Sequence, residues 1–409
     1  MDTVVILGAS FGQLELIKEC RNYGCYIIAV TPKGNYPGLE LVDEVIFEDV
    51  RNVDAIYGKL KNKNIKSILF DQLDTAVITA ARLSSLLGIK GMSIKIAERF
   101  TNKRLMREYA KKCGISVPQS VVIENISEVE TSISSLCFPL IMKPLDSSAS
   151  HGVYKVNDAL EIKSHFDESQ KYSTTNKVII EEFIEGKEYV VEAFTRSFKT
   201  NNLVIGKRSY FDIPNTFIPN MTIFKDAESG KSQIEEKLKK ANVNLVASMG
   251  LEFGMTHAEY IYNVEKDEVF LVEIAARGGG VCTSTKVVPS ACGVNLTKLY
   301  VDEMLDKAPQ DIIIKEGYSA YICFILPEGK IVDVSNQEKI SSLDGIEYAH
   351  LDFCLNDRTP SIKDKYARQG PIIVKGNHEQ DCLNIRDRIM HELKISVETV
   401  DGLKGIIWN

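Results

Sequence analysis

The chain has 409 residues, is 44% hydrophobic and 26% charged, and carries a formal net charge of -7. This is the balance of an ordinary globular protein with core enough for about two to four domains, and it argues against nucleic acid or an acidic membrane as partner while leaving room for a local phosphate pocket. The first residues, MDTVVILGAS, form a short apolar run without a basic flank, which reads as a buried strand and not as a signal peptide. No apolar stretch approaches the ~20 residues that span a bilayer. The nine cysteines are scattered without a CxxC pair, as expected of reduced thiols in the cytoplasm, and no zinc-like cluster appears.

In chain order, VVILG (4–8), YIIAVT (26–31), DEVIFEDV (43–50) and SILF (67–70) are strand-like. They alternate with helix-like LELIKECRNYG (14–24), VDAIYGKLKNKN (53–64) and DTAVITAARLSSLLG (74–88). Continuous apolar strands alternating with helices predict a parallel, doubly wound sheet over residues 1–98. Ligands of such sheets sit at the strands' carboxyl ends, which puts Gly8 to Gly12 and Asp71 to Asp74 on one rim. A connector helix within 99–117 follows. Then VVIEN, LIMKPL, VYKV, VIIEEFI, YVVEAFT and LVIGKRSY give an α+β pattern, and a helix is expected near 231–250. Boundaries are expected at 99–185, 186–310 and 311–409, the last a small α+β lobe. The loop GASFG (8–12) departs from GxGxxG, which argues against a nicotinamide-binding reading.

Glu259 and Glu273 lie on two strand-like runs, MTHAEYIYNV and EVFLVEIAA, joined at the turn EKDE. Antiparallel pairing across that turn would bring the two carboxylates together, where a hard divalent cation relieves their repulsion. A solvated sheet face is the plainer alternative. Arg277 follows, then Gly278, Gly279 and Gly280. The fixed guanidinium fork suits a phosphate or acyl phosphate, and glycines let backbone amides approach a ligand; a flexible surface loop is the alternative. Lys143 ends an apolar strand in LIMKPL, and Lys103 opens the connector helix; either could reach a phosphate. The loop DSSASHGV (146–153) has the small and hydroxylated residues of a phosphate flap, or of a polar turn. EEFIEGKEYVVE (181–192) could hold adenine by its backbone and ribose by a carboxylate.

Taken in this order, Lys103, LIMKP, DSSASHGV, EEFIEGKEYVVE, THAEY and VEIAARGGG resemble the ATP-grasp superfamily of carboxylate–amine ligases, over essentially the whole chain. The resemblance implies an α/β and α+β fold: an N-terminal parallel-sheet domain, including DQLDTAVITAARLSSLLGIKG (71–91), a two-lobed ATP-grasp centre, and a small C-terminal lobe. It implies Mg2+ (or Mn2+) and ATP. It implies that Lys103 and Lys143 bind phosphates, and that the flap with Ser147, Ser148, Ser150, His151 and Gly152 closes over them. Glu181, Glu182, Phe183 and Ile184 would form the adenine hinge, and Glu188 would hold ribose. Glu259 and Glu273 would hold metal, and Arg277 would stabilise the acyl phosphate and the tetrahedral intermediate. Many members have Glu-x-Asn-x-Arg; here Ala275 replaces Asn and removes a metal ligand. The ExAAR form looks like the dipeptide-forming L-amino-acid ligase branch.

His257 shares the face of Glu259, where it could touch a substrate or hydrogen-bond Glu259, and Gly278 and Gly279 are expected beside the substrate. The segment KRSYFDIPNTFIPN (207–220) reads as a loop across the site, with Lys207 near ATP and Tyr210 or Asn215 near the substrate. The expected reaction joins a small-molecule carboxylate to an amine through an acyl phosphate, releasing ADP and phosphate. The alternative within the superfamily is a purine-biosynthesis or carboxylase-like enzyme using bicarbonate or a phosphorylated substrate. A catalytically silent nucleotide binder is the alternative from another class. A homodimer is the superfamily's habit.

Overall fold

The computed structural model describes residues 1–146, 151–214, 216–229, 232–362 and 365–409. The N-terminal sheet is parallel, in the order β3-β2-β1-β4, with β1 Thr3–Leu7, β2 Tyr26–Thr31, β3 Glu44–Phe47 and β4 Ser67–Leu69. Its inner strands are apolar on both faces because both are covered. On one face Val4 and Ile6 pack with Leu16 and Ile17 of α1 (Leu14–Asn22). On the other, Val5 and Leu7 pack with Ile56 of α2 (Val53–Leu60) and Val77 of α3 (Asp74–Leu87). The doubly wound arrangement expected from the alternating pattern is therefore present. α4 (Ile94–Arg99) and α5 (Lys103–Lys112) lead out of this domain, and the Asn102 side chain caps α5 by accepting from Leu105 N.

Next comes a four-stranded antiparallel sheet, order β5-β8-β6-β7, from β5 Ser120–Ile123, β6 Leu140–Pro144, β7 Tyr154–Val156 and β8 Val178–Glu182. Its apolar side closes on the helix Ala159–Lys171 through Ile162 and Phe166. A larger sheet follows: β9 Lys187–Arg196, β10 Lys199–Tyr210, β11 Pro219–Asp226, β12 Gly254–Asn263, β13 Glu268–Ala275 and β14 Tyr318–Ile325. β15 Gly329–Ser335, β16 Ile346–Ala349, β17 Arg358–Thr359, β18 Arg368–Gly376, β19 Lys394–Thr399 and β20 Gly402–Lys404 complete the chain.

The large sheet runs β13-β12-β9-β10-β11-β14-β18-β16. The boundary expected at 311 is thus not a break between sheets, because β14 pairs with β11 and carries the C-terminal strands into the same sheet. A separate sheet, β17-β15-β19-β20, packs beyond it. Alternation gives the large sheet two unlike faces. Ala258, Tyr260, Leu271 and Ile274 are buried with Leu245 and Met249 of the helix Gln233–Met249 and with Met106 and Ala110 of α5. Burying each large apolar side chain contributes roughly 1.5–3 kcal/mol. That packing holds β12 and β13 in a register whose other face carries His257, Glu259 and Glu273.

Candidate active site

Two cavities meet on that charged face. The first, about 630 Å³, lies between the rim of the N-terminal sheet (Gly8 to Gly12, Gln72, Asp74) and the segment around Arg277 and Gly280. The second, about 570 Å³, lies between the small antiparallel sheet and the large one. Both volumes suit a small molecule. The second has an apolar end formed by Phe183, Ile184, Ile261, Phe270 and Leu271, and a charged end with Lys103, Lys143 and Arg107. Arg208, Glu259, Glu273 and Lys365 line both cavities.

The register places Glu259 directly opposite Glu273, with a bulge just after Glu259. Each acid has its own cation. Lys103, first residue of α5, lies 3.0 Å from Glu273, and Arg208 Nη1 lies 2.7 Å from Glu259. Arg208 also reaches Glu188 at 2.5 Å, so one guanidinium ties β9, β10 and β12 together. Burial pushes Glu259 up, but Arg208 and His257 outweigh it and hold its carboxyl well below the usual range. His257 Nε2 is 3.3 Å from Glu259, and Nδ1 bonds the fully buried Glu192. Burial pulls His257 down; Glu192 and then Glu259 overcome it, and the imidazole's pKa is raised.

Arg277 does not lean on the acid pair. Its Nε and Nη2 grip Asp74 at the start of α3, at 2.9 and 3.0 Å, a bidentate pair across two domains. Burial would raise Asp74, yet Arg277 holds it below the ordinary value. Asp71 is also buried; burial pushes it up to about 6 despite bonds from Ser284 and Gln72. These contacts correct the expectation for Gly278 and Gly279. Their amides are committed to protein carboxylates: Gly278 N donates to Asp71 at 3.1 Å and Gly279 N to Glu192 at 3.1 Å. Glycine is required there by crowding, since a Cβ on Gly279 would come 2.3 Å from Glu192 and 2.8 Å from His257. Of the three glycines after Arg277, Gly280 lines the first cavity.

In the small sheet, Glu181 is 2% exposed and bonds both Arg107 (2.8 Å) and Lys143 (2.5 Å). Its backbone lies inside the sheet, paired with β5 and β6, so its carboxylate serves as a buried counter-ion and not as a hinge contact. Burial would raise Glu181, but Arg107 and Lys143 lower it to about 2. Burial lowers Lys143, against the pull of Glu181. Glu182 accepts from Cys137 N, and Phe183 N donates to Pro139 O, so Ile184 onward is the freer stretch of this segment. Two guanidinium nitrogens at the second cavity, Arg107 Nη1 and Arg208 Nε, are buried without a partner among the described residues. Tyr210, expected near the substrate, lines this second cavity and donates to Glu188. Lys207 stands at its rim, 3.6 Å from Glu379. His151 lines it too, stacked between Tyr172 and Tyr366, while Gly152 takes the left-handed φ of +64°. Ser147, Ser148, Ser150 and Asn215 lie outside the described residues.

A family model described as an ATP-grasp domain matches residues 136–285. That stretch of the chain is similar to an ATP-grasp domain. Alanine–anticapsin ligase of Bacillus subtilis is 23% identical over 295 residues, 64% of this chain and 61% of that protein. The carbamoyl phosphate synthase large chain of Archaeoglobus fulgidus is 25% identical over 318 residues, 73% of this chain but 29% of that protein. The chain spans under a third of the length of the carbamoyl phosphate synthase large chains it matches. The structure of an L-amino acid ligase from Bacillus licheniformis covers 98% of this chain and 99% of its own, with a TM-score of 0.83 at 16% identity, a likeness of fold. Among the described residues no helix is long and apolar enough to cross a membrane.

At this site, sequence reasoning missed Glu192, Arg208 and Arg107, and it missed Asp74 as the partner of Arg277. Glu192 had a signal: Glu188, Val190 and Glu192 alternate along β9, so both acids share the face of the site. Arg208 alternates with Tyr210 in the same way. Asp74 had none, because its partner lies 203 residues away.

Proposed function

We propose that this chain uses Mg-ATP to activate a carboxylate as an acyl phosphate and joins it to an amine. One observation carries the reading: a nucleotide-sized cavity with an apolar end and a cationic end opens, at Glu259 and Glu273, onto a second cavity of similar size. The nucleotide base fits the apolar end, and the phosphates fit Lys103, Lys143 and the nitrogens of Arg107 and Arg208 that have no partner among the described residues. The donor set also fits a hard cation. Glu259 and Glu273 offer carboxylate oxygens, and no group of three or more His, Cys, Asp or Glu suited to a metal occurs among the described residues. The remaining ligands would be phosphate and water oxygens, the shell Mg2+ prefers. When bound, Mg2+ neutralises phosphate charge and polarises the transferred phosphoryl group.

The chain's own residues then do the following. Lys103 and Lys143 offset charge on the phosphates while a substrate carboxylate in the first cavity attacks the terminal phosphorus. Arg277, fixed by Asp74, presents a rigid cation where the acyl oxygen gains charge as the amine attacks. Closure between the lobes excludes water from the acyl phosphate. The ExAAR form and the fold likeness to an L-amino acid ligase favour amino-acid substrates. The match to carbamoyl phosphate synthase supports a second reading with bicarbonate or a phosphorylated substrate. All nine cysteines are free thiols, which fits the cytoplasm, and the homodimer implied by the resemblance belongs to the same reading.

The test is ADP release in the presence of Mg2+, screened over pairs of L-amino acids with mass detection of product. Release that needs two amino acids and yields a dipeptide is the expected result. Release with bicarbonate plus an aminoimidazole ribotide, and with no amino-acid pair, would overturn the amino-acid reading.

A further inference from the structure

The four side chains that line both cavities include one from the far end of the chain. Lys365 opens the 3-10 turn Lys365–Ala367, immediately before β18. Its ammonium makes no ion pair with a described residue, although carboxylates are near. Those carboxylates are already held: Glu259 by Arg208 and His257, Glu188 by Arg208 and Tyr210. A half-buried ammonium whose neighbouring carboxylates are already paired to other groups is favourably completed by an anion. The phosphate and carboxylate groups of the reaction are the anions that would meet at this junction.

The turn is also fixed in place. Arg368 Nε donates to the Lys365 carbonyl at 3.2 Å. On the other side, the ring of Tyr366 stacks on His151 with centroids 5.2 Å apart and planes 28° apart. His151 in turn stacks on Tyr172 at 5.2 Å and 16°. Tyr366 is 74% exposed, so burial in a core does not explain its orientation. The stack joins the C-terminal segment to the small lobe beside the second cavity and sets Lys365 toward the junction.

We propose that Lys365 is a further catalytic residue: it binds the terminal phosphate of the nucleotide at the point where that group passes from one cavity to the other. Tyr366, through its stack on His151, is a positioning residue for it. This rests on the reading of the second cavity as the Mg-ATP site, and a nucleotide-binding test separates the two. The full chain is titrated by calorimetry with ADP and with the non-hydrolysable triphosphate AMP-PNP, each with Mg2+. Lys365→Met should weaken AMP-PNP binding about 10- to 100-fold, the worth of one charge-assisted contact, and leave ADP within about twofold. Lys365→Arg should recover most of the loss. Tyr366→Ala should weaken AMP-PNP by a smaller factor, again sparing ADP. Equal losses for both nucleotides would mean a structural role and overturn the proposal, as would unchanged AMP-PNP binding in Lys365→Met. A wild-type chain that binds neither nucleotide would instead sink the reading of the second cavity.

Discussion

Glu273→Gln is expected to lower turnover about 1,000-fold, because on the proposed reading it removes one of the two carboxylates, Glu259 and Glu273, that would hold the metal, a loss worth several kcal/mol of transition-state stabilisation. The substitution keeps the shape of the side chain and strips its charge. Its structural cost should be small. The Glu273 side chain is 34% exposed, and although its ion-pair partner Lys103, at 3.0 Å, is only 6% exposed, the Gln amide oxygen can still accept a hydrogen bond from that ammonium. Activity and folding should therefore part company: ADP release collapses while the thermal midpoint hardly moves. A variant with full turnover would refute the metal role. One that lost turnover and fold together would make Glu273 a structural acid.

Glu181→Leu is expected to show the reverse priority. It leaves Arg107 and Lys143 as two buried cations without their shared counter-charge, which typically costs about 3–5 kcal/mol. The effect should appear as faster amide exchange in β6 and β8, whose strands meet at Glu181 and Ile141. The pH dependence has a definite sign. The Glu181 carboxyl is depressed from 4.5 to about 2 in the fold, so its contribution is complete above the unfolded value and is lost as pH falls through the folded one. The wild-type small sheet should thus loosen progressively between pH 4.5 and about 2, and in Glu181→Leu that acid limb should flatten. Unchanged exchange at neutral pH would contradict the counter-ion assignment.

How far these features were legible in the sequence follows from how far apart their partners lie. The turn EKDE sets the register of β12 on β13, and alternation then decides which side chains share a face, so the opposition of Glu259 and Glu273 could be read from one short segment. The βα alternation of the first domain was legible for the same reason. Arg208 was not, because its two acids come from different strands and the fan of the sheet brings them together. The glycines after Arg277 signalled close approach, and close approach is what they provide. A glycine does not say what approaches, and here it is Asp71 and Glu192. The continuation of the large sheet into the C-terminal segment was hidden because β11 and β14 are far apart in the chain and each alone reads as an ordinary strand. Lys365 sits in a polar stretch with no periodicity, where only the folded chain shows two cavities meeting.

The central claim is that a carboxylate oxygen attacks the terminal phosphorus. A mixture of L-amino acids carrying ¹⁸O in both carboxylate oxygens, incubated with the chain, Mg2+ and ATP, tests it directly. The account predicts that the phosphate released carries one ¹⁸O from the substrate, since the acyl oxygen leaves with phosphate when the amine attacks. Labelled bicarbonate with an aminoimidazole ribotide serves as the second arm. Phosphate that takes no label from either carboxylate, and takes it instead from ¹⁸O-water, would contradict the account.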